Sequence, residues 1–476
     1  MNAKTLFMKY PELKTQDLPK APSWTKALGV GLVVMGMAIG TGELIMWPHL
    51  ISKFGLGLLW AALVGIGMQY FINQEVARHA LATGESFFTS SARIFKWFVP
   101  FWFVAAILLY IWPGWASAMG TTLSELFGFG NYMLWAWASL FLVLILTFTG
   151  RVAYVMLETS LKIIVPIFIV LLIVVSFLNL QAEHVVEALR GLINFGWIPQ
   201  GVDINVFLGA IVFAGAGGML NLCVSLWYRD KGAGMGKYVG RITNPITGKT
   251  EAMTVSGYKF DPNKKNLKRW KEWMRFVRVD QGIIFFTVGL FTLVLLSLNA
   301  YVILKPLGLV PEGLEVAVVQ AHIFGDKFGI IGYKVFLVMA FLMLFAVMWT
   351  IFDAVTRIAS DILYVNCRSG YFKNILKPLR GLSESHLYYI IILLLVLAGA
   401  ALIPLQQPLT FLIISSVLGG LSMAIYTPVL FYLNNFKLAK PLRPGLVTNF
   451  FIIATFLFYS FFTILIILNY LNIKIL

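Results

Sequence analysis

Stretches of about twenty apolar residues recur along almost the whole chain, and this narrows the possible folds more than any other feature. Lipid satisfies no backbone N–H or C=O, so a segment that crosses it must be a helix or part of a closed barrel. Eleven such stretches are read as helical spans, at about 27–50, 55–78, 97–119, 131–150, 153–178, 205–227, 280–303, 331–357, 386–404, 408–434 and 446–470. The composition agrees: 59% of residues are hydrophobic and 12% charged, with a mean hydropathy of +0.84. Soluble domains carry about a quarter charged residues. The first 26 residues are polar, with Pro11, Pro19, Pro22 and five lysines, so a cytoplasmic segment without a cleavable leader is expected there. The two cysteines, Cys223 and Cys367, lie in or near apolar stretches and do not form a disulfide framework.

A net charge of +16 would point to nucleic acid in a soluble protein; here its distribution gives a different reason. Counted by connection, thirty Lys and Arg fall on one side of the predicted spans and six on the other, with Lys162 inside span five. The positive-inside rule then places the N-terminus in the cytoplasm and the C-terminus outside, in a plasma (inner) or equivalent membrane. The connection 228–278 is the one sizeable hydrophilic loop. It closes on "NKKNLKRWKEWMRFVR", which reads as a basic, Trp-bearing amphipathic helix on the inner leaflet, where anionic lipid is the expected partner. Its "GAGMGK" lacks the glycine spacing and the Ser or Thr of a Walker A sequence, so no ATPase, and no enzyme, is expected.

Two spans carry glycine clusters near mid-depth: Gly40-Thr41-Gly42 in span one, and Gly215, Gly217 and Gly218 in span six. They occupy matching positions if ten spans form two five-span halves, 27–178 and 205–434, with 446–470 as an additional helix. Glycine-interrupted spans in corresponding positions mark a midplane binding site in inverted-repeat transporters, because unwound backbone needs a ligand where there is no water. Small-residue helix packing is the plainer reading of either cluster alone.

The residues that carry these features resemble the Nramp divalent-metal transporters of the LeuT-fold superfamily. The resemblance runs through "GVGLVVMGMAIGTGELI", "FGLGLLWAALVGIGMQYF", "ALATGESF", "YVMLETSLKIIVPIFIVLLIVVSFL" and "GAGGMLN", and more weakly to about residue 360. It implies an all-α 5+5 inverted repeat with interrupted spans one and six and a symport mechanism. It also implies where this chain diverges. The family's first-span aspartate, a metal ligand, falls on Gly40, its proline on Thr41 and its metal-binding asparagine on Glu43, while Gly42 is kept. Ala216 and Met219 stand where relatives offer a carbonyl and a thioether to metal; Leu220 and Asn221 replace a proline and a histidine. The third-span acids linked to proton movement fall near Trp112 and Trp115, and no Asp or Glu lies between Phe101 and Ser124.

The intramembrane acids are Glu43, Glu75, Glu158 and Asp353, each a functional candidate because a bare charge there costs several kcal/mol. Spacing offers Glu158 a partner in Lys162, Glu75 one in Arg78 and Asp353 one in Arg357. Asp353, with Thr350, is also a candidate coupling-cation position; Glu43 has no basic neighbour and is the leading candidate. His49 and His79 read as packed or interfacial.

Three functions fit. In the first, the chain carries a divalent metal ion, held by Glu43, the Gly40 and Ala216 carbonyls, Met219 and Asn221; mixed oxygen and thioether ligands suit Mn²⁺ or Fe²⁺, and loss of the thioether suits Mg²⁺. In the second it carries a small organic solute such as an amino acid. Free N–H groups around Gly40, Thr41 and Gly42 would hold a carboxylate, Glu43 an ammonium, and Gly217 and Gly218 would make room, with Tyr110, Trp112 and Trp115 as lining candidates. The third is a non-transporting sensor of the same fold. The family resemblance favours the metal, and no cofactor is expected beyond a metal ion as substrate.

Overall fold

The computed structural model describes residues 10–23, 29–150, 153–244, 251, 253–405 and 408–471, and the chain is almost wholly helical. Among the described residues ten helices are long and apolar enough to cross a membrane: Val30–Phe54, Leu56–Thr83, Phe98–Phe127, Tyr132–Thr149, Tyr154–Asn179, Lys264–Leu304, Val319–Arg368, Glu384–Leu405, Pro408–Lys437 and Leu446–Leu468. The remaining predicted span, the sixth, is split into Ile204–Val212 and Leu220–Asp230, and each half is too short to cross alone. This is a multi-pass integral membrane protein.

Burial sorts the spans. Span one is buried along its whole apolar window, whereas spans four and eleven bury less than a third of theirs. A helix that is apolar all round belongs in the centre, and span one sits there, against spans six, seven and eight. Its N-terminus is held by Asp280 at the start of the apolar part of span seven. Asp280 Oδ2 accepts the Gly31 N–H (2.9 Å) and the Tyr228 hydroxyl (2.6 Å). A carboxylate opposite the first free N–H groups of a helix is favourable by both hydrogen bonding and dipole.

Three sequence expectations change. Span three is interrupted between Phe98–Tyr110 and Gly114–Phe127, around Pro113, which supplies no N–H for a continuous helix. Span six runs on to Asp230, so Tyr228, Arg229 and Asp230 belong to a buried helix end rather than to the loop. The basic helix Lys264–Val279 continues directly into span seven instead of lying alone on the leaflet. Its apolar residues Trp270, Trp273, Met274, Phe276 and Val277 are buried against protein.

What covers that helix includes the N-terminal segment, which runs across this face as a strap. Lys14–Thr15 pairs in parallel with Tyr258–Lys259. Leu18 is fully buried; its N–H donates to Asn266 Oδ1 (3.2 Å) and its carbonyl accepts from Arg269 (2.6 Å). Trp273 donates to the Pro19 carbonyl (2.9 Å), and the Tyr10 hydroxyl donates to Asn366 at the end of span eight (2.6 Å). Lys265 pairs with Asp17 and holds its carboxyl below the usual range.

Leu18→Ala removes a wholly buried side chain and is expected to cost about 2–5 kcal/mol of local stability. Limited proteolysis in detergent should then cut the strap faster, and the thermal midpoint should fall. Unchanged cleavage and midpoint would mean that this contact does not hold the strap.

Candidate substrate site and inner charge network

Span six stops being helical from Phe213, and Gly217 (φ +69°) and Gly218 (φ +56°) take the left-handed backbone that side chains disfavour. Space forbids a larger residue as well: a Cβ on Gly218 would lie 2.5 Å from the Tyr110 hydroxyl and 2.9 Å from the Gly419 Cα. Two side chains satisfy the freed backbone. Gln69, fully buried on span two, donates to the Val212 carbonyl (2.8 Å), and its own oxygen accepts the Gly217 N–H (2.8 Å) and the Asn221 amide (3.3 Å). Tyr110, at the end of the first half of span three, donates to the Gly217 carbonyl (3.0 Å) and accepts the Leu220 N–H (3.4 Å). The break is a stapled turn.

Span one is interrupted differently. The glycines do not unwind it; from Ile39 to Met46 the α-helix widens into a π-helix whose flanking residues keep right-handed helical angles. The reason is crowding. Gly40 is packed against Val347 and the Met343 carbonyl of span eight, and Gly42 against the Phe213 carbonyl of span six, leaving no room for a side chain at either. Both glycines therefore let backbones touch, and Gly42 does so where the span-six break begins. The Thr41 side chain lies outside the described residues.

Glu43 is carried in this widened stretch and is fully buried. Neither of its carboxyl oxygens has a hydrogen-bond partner in normal geometry. Thr292 of span seven lies beside the carboxyl, and its single hydroxyl proton is also within reach of the Val288 (3.1 Å) and Gly289 (3.0 Å) carbonyls of its own helix. A buried polar atom without a partner is costly and uncommon. Around the span-six break, Asn221 Oδ1 is likewise unpartnered, as are both amide atoms of Asn73, one helical turn beyond Gln69. Ala216 and Met219 are buried in the break and at its end. Among the described residues no three His, Cys, Asp or Glu side chains gather into a metal-binding group. Of the lining aromatics, Tyr110 and Trp115 meet span six, the latter edge-on to Phe213 at 6.1 Å, whereas Trp112 packs against Phe411 at 6.0 Å.

Asp353 and Thr350 are not an open cation position. Asp353 accepts from Arg357 (2.6 Å), from the Trp227 indole (3.0 Å) and from the Tyr388 hydroxyl (2.6 Å), and Thr350 donates to the Ala346 carbonyl (2.7 Å). A cation there would have to displace a guanidinium. Arg357 also bonds Asp230, while Arg229 bonds Asp361 and Glu384, the latter at 2.6 Å. Ser86 donates to Asp361 (2.5 Å). Two arginines and four carboxylates, all buried, thus tie the ends of spans six and eight to the start of span nine. Glu158 pairs with both Lys162 and Lys231, each at 2.9 Å, and Glu75 with Arg78 at 2.8 Å. His49 and His79 are occupied by Pro311 and by Asn434 and Ser90.

Sequence reasoning did not single out Gln69, Asp361 or Glu384, and it left Arg229 and Asp230 in the loop. Asp353, Arg357 and Asp361 recur every four residues, one helix face, which is a signal available in the sequence. Gln69 offers only its presence in an apolar run.

Gln69→Leu leaves the Val212 carbonyl and Gly217 N–H without partners in a dry interior and should cost about 1–3 kcal/mol for each. A detergent-solubilised thermal midpoint that does not move would refute the stapling role. Arg357→Met strands Asp353 and Asp230 and should destabilise by about 3–5 kcal/mol. Lys162→Met, at a half-exposed pair, should change the midpoint little by comparison.

No protein-family model matches the sequence, and no curated protein matches it. Solved structures do resemble it. A manganese transporter of Eremococcus coleocola, solved with an aromatic bis-isothiourea compound, superposes with a TM-score of 0.63 at 13% identity, covering 95% of this chain and 88% of that one. Mhp1, a nucleobase-cation-symport-1 family transporter with bromovinylhydantoin bound, gives 0.55 at 14% identity, with 96% and 94% covered. MhsT in complex with L-phenylalanine gives 0.56 at 16%, with 94% and 99% covered. The coverage is nearly complete in both directions. What these proteins share with the chain is the LeuT-like fold.

Proposed function

We propose that the chain is a secondary transporter of a small cationic solute, nominally a divalent metal ion, whose charge is taken up by Glu43. The observation that carries this reading is the fully buried Glu43 carboxyl without a hydrogen-bond partner, in a widened stretch of the central helix facing the span-six break. An acidic side chain kept at membrane depth without a basic partner is a functional position by default. Cargo would supply what the resting structure leaves unpaired. Glu43 contributes a carboxylate, Asn221 an amide oxygen, Ala216 a carbonyl and Met219 a thioether; the oxygen-rich part of this set suits Mg²⁺ or Mn²⁺. The three similar structures, a manganese transporter and two proteins holding a hydantoin and an amino acid, support transport in preference to catalysis.

A specific observation favours a second cargo. Among the described residues Glu43 belongs to no group of three or more His, Cys, Asp or Glu side chains, and a lone carboxylate equally suits a substrate ammonium. An amino-acid-like solute would place its carboxylate on N–H groups at the break. In either case the buried arginine–carboxylate network closes the side of the basic loops, which we assign to the cytoplasm together with the N-terminus. Opening on that side requires the network to part.

Calorimetric titration of the purified chain with Mn²⁺, Mg²⁺ and an amino-acid mixture, alongside Glu43→Gln, tests both cargoes. The variant keeps the shape and loses the charge, so cation affinity should fall roughly tenfold to a hundredfold. Metal binding that survives the substitution sinks the metal reading. Silence to metals with heat from amino acids replaces it with the organic one.

A further inference from the structure

Away from the central site, spans two, seven and eleven meet around a recess of about 360 Å³ lined by Arg78, Lys271, Arg278 and Arg443, with Trp270 and Met274 among its apolar walls. Its position sets its depth. Arg78 lies near the end of span two, Arg278 where the basic helix enters span seven, and Arg443 and Gly445 immediately before span eleven begins at Leu446. The recess is therefore at the level where a helix end leaves the hydrocarbon, on the side of the basic loops. Two of its cations are committed: Arg78 to Glu75 (2.8 Å) and the Leu442 carbonyl (2.9 Å), and Arg443 to the Leu438 carbonyl (3.0 Å). Lys271 and Arg278 are exposed and stand beside the buried Trp270 and Met274 at the edge of the helix's packed face. The carboxylate facing this cluster from span two, Glu75, is already paired with Arg78; Glu272, on the basic helix itself, is exposed.

A second observation concerns the surface below. Span eleven starts with an unpartnered apolar face: Leu446 is 89% exposed, Val447 68% and Phe450 65%. On its other face, Phe451 stacks on Phe71 of span two at 4.1 Å, which fixes span eleven beside the recess. A basic pocket among span ends, opening onto a lipid-facing apolar stripe, matches both parts of an anionic phospholipid. Basic pockets in this position bind phosphate headgroups. Free phosphate would use the cations but not the stripe.

We propose that this recess holds the phosphate headgroup of an anionic phospholipid of that leaflet, with its acyl chains along Leu446, Val447 and Phe450, so that lipid braces span eleven against spans two and seven. The claim is independent of what the central site carries. It also relocates lipid recognition from the apolar face of the basic helix, which the protein itself covers, to its exposed cations and their neighbours.

Native mass spectrometry of the full chain in neutral detergent, titrated with phosphatidylglycerol or phosphatidylcholine, tests it. The chain should retain phosphatidylglycerol preferentially. Lys271→Gln/Arg278→Gln should weaken retention about twentyfold to thirtyfold, at about fivefold for each cation beside a headgroup. Lys264→Gln/Lys268→Gln, on the same helix outside the recess, should leave it unchanged. Should the double variant not elute as a monodisperse species, Arg443→Gln serves instead, with an expected loss of about fivefold. Equal retention by the recess variants and the parent overturns the proposal, as does an equal loss in the control pair. Displacement of the lipid by millimolar inorganic phosphate would assign the recess to free phosphate and overturn the lipid as its occupant.

Discussion

A backbone that leaves the helix inside a membrane must find its hydrogen bonds in the protein, and here side chains from spans two and three supply them. Gln69 takes the Val212 carbonyl, the Gly217 N–H and the Asn221 amide at once, with Tyr110 closing the opposite side. Water cannot substitute for these groups in the hydrocarbon core. The placement of span six depends on this staple, and span one depends on span six, because Gly42 rests directly on the Phe213 carbonyl. Glu43, the residue after Gly42, is thereby fixed beside Thr292 of span seven with its carboxyl unpaired.

The two interrupted spans answer the same packing demand in different ways. In span six the glycines adopt a left-handed turn, which frees polar groups and costs a staple. In span one the glycines stay helical and serve as contact points, and the helix widens to a π-form instead. A π-stretch shifts the register of side chains beyond it without exposing the backbone, and such stretches often mark functional positions. The central acid is thus presented by a helix that remains whole.

Charge is arranged with the same economy. Six buried ionisable groups are gathered at one end of the bundle, where each has a partner, while the widened stretch of span one carries an acid without one. Buried pairs of this kind contribute little net stability relative to apolar packing, but breaking one is expensive. Separating one pair of such a set leaves a buried charge uncompensated, so the six groups hold the ends of spans six, eight and nine together. The strap and the basic helix add an outer layer over the same face.

Much of the fold was legible in the chain itself. Lengths of apolar runs located the spans but missed the interruption of span three and some of the ends: span eight continues to Arg368, and span six to Asp230, because the polar residues there are paired inside the protein rather than hydrated. Local spacing also exposed the pairs Glu75–Arg78, Glu158–Lys162 and Asp353–Arg357, since a helix sets neighbours three and four apart. The partnership of Arg229 with Asp361 and Glu384 spans more than a hundred residues, and no local rule reaches it. Nor could composition tell a glycine that unwinds a helix from one that admits a neighbouring backbone, because both need the absence of a Cβ and only the approaching atoms decide. Apolar runs and local spacing alone say that the chain crosses a membrane many times and that Glu43 has no basic neighbour in its own span. What satisfies the acids that local spacing cannot reach was settled by packing, which brings Arg229 to Asp361 and Glu384 and Tyr228 to Asp280, and leaves the Glu43 carboxyl without a hydrogen-bond partner.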